Sequence, residues 1–233
     1  IIATSIISTA LIVGLALAYS NIIAAQANTD RIIAASLARE GIEIIRNIRD
    51  SNWLRRDANI DKDPIATDLQ FFAWDDFFNG WPTLDTTACA GGDCYGNYFD
   101  IVMTDMTLSN INDYNYSLQK VTAANPDVLL CIVDPTQTAC RIRKKQLTQG
   151  DSLYFQSSIV SDPYTPYFRR IQLKPICWDP AVPEEFVDDA VNMTCETGEK
   201  IGVLVTSNVI WQRSNKTLEV RVKERLYNWR TNQ

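Results

Sequence analysis

Apolar side chains fill the first part of the chain without a charged interruption, and beyond it they recur at helical spacing. Ile1 to Thr29 (IIATSIISTALIVGLALAYSNIIAAQANT) contain no Asp, Glu, Lys or Arg. A bilayer core of ~30 Å needs about 20 apolar residues in a helix, and residues 1–27 supply them. From Asp30 onward Ile33, Leu37, Gly41, Ile44 and Ile48 fall at spacings of four and three. That pattern predicts one buried stripe, with Arg39, Glu40, Glu43, Arg46, Arg49 and Asp50 facing outward. A single rod over residues 1–54 is therefore expected, apolar over 1–27 and amphipathic beyond. At 1.5 Å per residue a rod of roughly 50 residues is about 75 Å long, far more than a membrane requires.

Two simpler readings of the apolar run compete with a membrane and packing role. A cleaved signal peptide has an apolar core of about 7–15 residues before a small-residue cleavage site. This run is longer, and its helical period continues past it. A lone anchor would face lipid on all sides, with no special place for small residues. Here Ala3, Ser5, Ser8, Ala10, Gly14, Ala16, Ala18, Ala24 and Ala25 are spread through the run, which suits close helix-on-helix packing in an apolar medium. The residues expected to meet neighbouring helices or lipid are Ile6, Ile7, Leu11, Leu15, Leu17, Ile22 and Ile23. Gly14 stands mid-helix, where Gly costs about 1 kcal/mol relative to Ala, and is the expected point of helix flexibility.

After Trp53 the helical period is lost. Residues 55–233 are expected to form a β-rich head, beginning with a charged linker from Arg55 to Thr67 that contains Pro64. Leu69 to Trp81 (LQFFAWDDFFNGW) is dense in aromatics; Phe71, Phe72, Trp74, Phe77 and Phe78 are expected to cover the helix and sheet as core, the alternative being an exposed patch for subunit contact or adhesion. Short runs with β character then alternate with turn signals: 98–103, 114–121, 128–133, 167–173, 201–212 and 217–229. The last two predict a hairpin closed by Arg213, Ser214, Asn215 and Lys216. In its second strand Leu218, Val220, Val222 and Leu226 share one face, and Glu219, Arg221, Lys223 and Arg225 the other. An antiparallel sheet with one side packed on the amphipathic half of the helix follows, an α+β class.

Composition narrows the chemistry. The net charge of −6 argues against a general nucleic-acid surface, and Arg141 to Lys145 (RIRKK) is the one basic run, expected to be a solvated strand face. With no histidine anywhere, no Ser-His or Cys-His pair can form and no imidazole can act as a near-neutral base. Acid pairs such as Asp75-Asp76, Glu184-Glu185 and Asp188-Asp189 read as solvated surface. Residues 57–68 lack the Gly and closing Glu of a calcium-binding loop, and no Gly-rich phosphate cradle is present. No enzyme, metal or cofactor is implied.

Six cysteines (Cys89, Cys94, Cys131, Cys140, Cys177 and Cys195) lie beyond the apolar run and match no zinc spacing. Disulfides in an oxidising compartment are the better explanation. Proximity in sequence favours the pairs 89–94, 131–140 and 177–195, although six cysteines allow 15 connectivities. Arg31, Arg39, Arg46 and Arg49 after the span would favour a cytoplasmic side; the cysteines favour the outside. Three Asn-x-Ser/Thr triplets, at Asn115, Asn192 and Asn215, are permitted glycan acceptors in an exported protein.

LAREGIEIIRNIRDSNWL, from Leu37 to Leu54, resembles the end of the long helix of bacterial type IV pilins, closest to the group known as type IV pilus modification proteins. GNYFDI (96–101), PYFRRIQL (166–173), Val209-Ile210-Trp211 and Leu226-Tyr227-Asn228-Trp229-Arg230 follow in the order seen in such proteins. The resemblance covers most of the chain. It implies the lollipop pilin fold, polymerisation without chemistry, a cytoplasmic-membrane location before assembly, an extracellular pilus after it, and local loss of helicity somewhere within Gly14 to Ile23 in the polymer. The partners it implies are further copies of the chain in a helical homopolymer, the membrane, the assembly machinery with its prepilin peptidase, and a host-cell or surface ligand. A minor adhesive or DNA-capturing tip pilin and a secretion-system pseudopilin are the alternatives, nucleic acid belonging only to the tip reading. Members of the family begin, after cleavage, with an aromatic residue and carry a Glu at the fifth mature position, where Ser5 stands here; a short segment before Ile1 is expected.

Overall fold

In a computed structural model the described residues are 2–58, 98–103, 116–120, 140–146, 152–156, 163–181, 183–188 and 195–228. The aromatic stretch 69–81, the expected strand 128–133, Cys89, Cys94, Cys131, Asn115 and Asn192 lie outside them. The fold is α+β: one long helix, α1 (Ile2–Ala58), and an antiparallel sheet. At 57 residues α1 is about 85 Å long, and it runs past Leu54, where the sequence pattern placed its end. No proline precedes Pro64, so nothing in the rod removes a backbone donor. Its many Ile residues, weak helix formers alone, are held by packing along the second half.

The sheet contains β1 (Tyr98–Met103), β2 (Tyr116–Lys120), β3 (Arg141–Gln146), β4 (Ser152–Gln156), β5 (Tyr164–Asp179), β6 (Glu184–Val187), β7 (Glu199–Arg213) and β8 (Lys216–Tyr227). All pairings are antiparallel. Strand β5 is the spine. Along one side it pairs with β7 from Tyr167↔Trp211 to Trp178↔Glu199. Its other side is divided among β3 near the start, β1 at Ile171 and Gln172, and β6 near the end. The division explains a proline inside a central strand. The Pro175 carbonyl accepts from the Asp188 N–H, so the donor that Pro175 lacks would also point to that side, between the stretches paired with β1 and β6.

Strands β7 and β8 form the expected hairpin, joined by the two-residue turn Ser214-Asn215. Both turn residues have positive φ, 48° and 60°, the type I′ geometry whose twist matches its strands. Two strands were not expected, β4 and β6, the second being part of the acid-rich segment, whose charges hid its extended backbone. Strand β3 is the basic RIRKK run, expected to be a solvated strand face; it is a strand, but Ile142 and Arg143 within it are buried.

Among the described residues the two larger apolar clusters lie between α1 and the β5-β7-β8 layer, while the sheet's other face also buries Phe168 and Ile210, so the sheet is not packed on one side alone. Towards the rod's middle Ala34, Leu37 and Ala38 pack with Ile142, Tyr167, Val209 and Trp211. Further on, Ile42, Ile44, Ile45 and Trp53 pack with Ile171, Leu173, Val203, Val205 and Leu226. Strand and helix contacts therefore advance together. Each fully buried Ile or Leu contributes about 1.5–3 kcal/mol. Gly41 sits tight against the sheet: a Cβ there would lie 2.7 Å from Ser207 Oγ and 2.8 Å from Ile171 Cδ1.

Cys177 and Cys195 are disulfide-bonded, with Cα atoms 5.9 Å apart, the pair expected from proximity. Cys140 is also disulfide-bonded and fully buried beside Phe168 and Ile210; its partner lies outside the described residues.

Two stability tests follow from this packing. Gly41→Ala should destabilise by roughly 1 kcal/mol, since the gain of about 1 kcal/mol in helix propensity is outweighed by overpacking of about 1–3 kcal/mol against Ser207 Oγ, which can rotate away, and the buried Ile171 Cδ1, which cannot. Gly41→Val should destabilise by roughly 2 kcal/mol through overpacking, measured by urea unfolding of the detergent-solubilised chain. Removing the Cys177–Cys195 bridge alone should cost roughly 3 kcal/mol for a loop of this length; thiol alkylation with mass spectrometry locates the bridge, and the unfolding free energy of the double variant Cys177→Ala, Cys195→Ala measures its worth.

Candidate functional site: an uncovered apolar rod clamped to a sheet

The first half of α1 has no partner within the chain. Ile6, Ile7, Leu11, Leu15, Leu17, Ile22 and Ile23 are all exposed, from 43% at Ile23 to 72% at Leu15. Ile2, Ile12, Val13 and Tyr19 are exposed as well, so the apolar surface surrounds the rod. The segment is long and apolar enough to cross a membrane. Its hydroxyls are compatible with an apolar setting: Ser8 Oγ and Thr9 Oγ1 both donate to the Ser5 carbonyl, at 3.0 and 2.8 Å. Satisfied inside the helix, they bring no bare donor into lipid or a helix bundle. Gly14 is helical, a Cβ there would meet nothing within 4 Å, and in the single chain the helix is continuous from Gly14 to Ile23.

Polar clamps fix the second half. Arg169 extends from β5 among apolar neighbours and is almost fully buried. Its Nη1 donates to the Leu37 carbonyl at 3.0 Å and to Glu40 Oε2 at 3.1 Å, and its Nε to Gln156 Oε1 at 2.8 Å. Gln156 Nε2 returns a bond to the Arg169 carbonyl at 3.0 Å. One guanidinium thus ties α1, β4 and β5 together, and charge-assisted bonds of this kind are the strong ones. Arg46 pairs with Glu224 of β8 and with Glu43. Arg49 donates to Asp50 and stacks on the Trp53 ring, 4.8 Å from its centroid.

These contacts correct one part of the sequence reading. Glu40, Arg46 and Arg49 were expected to face outward; they border the apolar stripe and pair with partners there. Glu224 carried the missed signal. It shares a strand face with Val222 and Leu226, an acid in an apolar row that calls for a cation opposite. Arg169 carried it too, at alternate spacing with Tyr167, Ile171 and Leu173.

The third clamp lies where the rod leaves the head. Arg213, at the end of β7, contacts Asp30 Oδ2 at 2.5 Å and donates to Gln26 Oε1 at 3.0 Å and to the Ile23 carbonyl at 3.4 Å. The Tyr167 hydroxyl reaches Asp30 Oδ1 at 3.5 Å. Asp30, the charge that ends the apolar run, thereby joins the head at the base of the bare segment. Burial, and next the negative charge of Asp30, push the Tyr167 hydroxyl up to about 12 from its ordinary 10.0.

Comparison with protein-family models, curated proteins and solved structures finds no match.

The Tyr167 hydroxyl supplies a pH test. The unfolded chain loses this proton near pH 10 while the folded chain holds it to about 12, so the unfolded state binds fewer protons in that window and stability falls as pH rises through it. Below pH 10 the contribution is fully present. Tyr167→Phe should flatten the decline between pH 10 and 12, measured as the difference in unfolding free energy between the two proteins.

Proposed function

We propose that the chain is a structural subunit of a type IV pilus-like filament with the lollipop pilin fold. Its apolar half-rod holds it in the cytoplasmic membrane before assembly and packs in the filament core afterwards. The observation that carries this reading is the division of one unbroken helix into a half packed on the sheet and a half exposed on every side. The motifs from Leu37 to Leu54 and from Pro166 to Leu173 support it, and the disulfides favour an extracytoplasmic head.

The energetics set what assembly must provide. Burying ~1,000 Å² of apolar surface is worth on the order of 25 kcal/mol at about 25 cal/mol/Å². Leaving the bilayer is tolerable only when neighbouring rods replace nearly all the lipid contact. Copies related by a repeating rise and rotation meet through different patches, so the contact propagates into an open helix and does not close. Ile6, Ile7, Leu11, Leu15, Leu17, Ile22 and Ile23 then serve in turn as anchor and polymer core.

Charge substitution separates rod from head. Leu11→Lys places an ammonium where neither lipid nor packed helices solvate it, at a cost of at least ~3 kcal/mol, and filaments should be lost. Lys223→Glu, on the exposed face of β8, should leave them intact. Electron microscopy of sheared surface material from cells carrying each variant makes the comparison. Wild-type material without fibres built from this chain would replace the polymer with a membrane-anchored domain.

A further inference from the structure

The sheet's register gathers basic residues at one end of the head. Trp211 and Leu218 pack in the cluster that contains Ala34, whereas Val203 and Leu226 pack in the one that contains Trp53. The Ser214-Asn215 turn is thus the part of the β7–β8 hairpin nearest the bare rod, and Arg213 reaches the Ile23 carbonyl from it. Strand β5 begins at the same end, since Tyr167 is opposite Trp211. Strand β3 runs towards it: Arg141 is opposite Phe168, Arg143 opposite Tyr164, and the Lys144 N–H donates to the Pro163 carbonyl. The one basic run of the chain is therefore carried to the end from which the apolar rod emerges.

Among the described residues, the charges at this end do not cancel. Arg31, Lys144 and Lys216 are exposed, and Arg213 is balanced by Asp30. Arg141 and Arg143 flank Tyr164, 4.7 and 4.2 Å from its ring centroid, and Arg143 donates to its hydroxyl at 2.9 Å. Tyr164 itself is 40% exposed, an aromatic with a polar tip of the kind that settles at a membrane–water interface. Among the described residues the next acid up β8, Glu219, is paired with Arg221. In a chain of net charge −6 this concentration of cations has a definite position, at the level of Ile23 to Gln26.

We propose that this end of the head is a docking surface for acidic phospholipid headgroups, with Arg31, Lys144 and Lys216 as its contacts. The inference rests on the membrane-held state proposed above. A rod inserted over Ile2 to about Gln26 spans roughly 35 Å, which sets Arg213 and the turn at headgroup depth. The rod fixes depth only. The cations fix the tilt and rotation of the head against an anionic surface, each adding a factor of roughly fivefold to the bound over unbound ratio at the surface.

The test uses the full chain in nanodiscs of phosphatidylcholine alone and of phosphatidylcholine with phosphatidylglycerol, followed by amide hydrogen exchange. Residues 5–20 report insertion and should be protected in both lipids. The 213–217 turn should exchange more slowly only with phosphatidylglycerol. The triple variant Arg31→Gln, Lys144→Gln, Lys216→Gln should abolish the difference, on the order of a 100-fold loss in the docked over undocked ratio. All three side chains are exposed, so the fold is kept. Unprotected 5–20 in both lipids would overturn the membrane reading and this one with it. Protected 5–20 with a turn indifferent to lipid charge would overturn the headgroup assignment alone. Equal protection of the turn by short duplex DNA added to phosphatidylcholine discs would overturn it in favour of a nucleic-acid surface.

Discussion

One helix faces two different surroundings, and the boundary between them falls within a single turn. Up to about Gln26 the rod is bare and apolar all round; from Asp30 one side is covered by the sheet. Residue by residue the backbone does not change, so the contrast is made wholly by side chains. The pairing of Asp30 with Arg213 marks the boundary, because a carboxylate at that position would be costly in an apolar medium without a cation. The described strands β5, β7 and β8 begin to cover the rod at that point.

The helix–sheet contact combines two kinds of interaction with different roles. Apolar packing in the two clusters supplies most of the stabilisation but little directional specificity, since Ile, Leu and Val surfaces can slide past one another. The guanidiniums of Arg169, Arg46 and Arg213 supply the register. Arg169 is the most constrained of the three, because truncating it would leave the Leu37 carbonyl, Glu40 and Gln156 each short of a donor, and such losses exceed the net worth of the bonds themselves. Gly41 allows the approach that Arg169 needs: its missing side chain leaves room for Ser207, Ile171 and the Arg169 stem.

Much of this was legible in the sequence because it is periodic. The stripe from Ile33 to Ile48 and the alternation from Leu218 to Leu226 each follow from one repeat, and the first expected strand, Tyr98 to Met103, coincides with β1. What was not legible depends on partners distant in sequence. The burial of Arg143 looked like solvated charge because RIRKK carries no sign of Tyr164, more than a dozen residues on, which stacks on it. Glu184 to Val187 reads as an acidic loop until the disulfide from Cys177 to Cys195 and the Pro175 carbonyl are in place to hold β6 against β5. The end of the helix was set too early for a local reason: the apolar stripe stops at Trp53, while the backbone continues on propensity and the absence of proline.

Strands β5, β7 and β8 advance along the helix rather than across it. A pull on the rod along its axis therefore loads the interface in shear. Both apolar clusters and the three guanidinium clamps resist together, whereas a sideways pull at either end would open the contacts one after another. The same sheet would behave as a zipper under one direction of force and as a glued lap joint under the other, so the subunit is mechanically strongest along the direction in which its rod points.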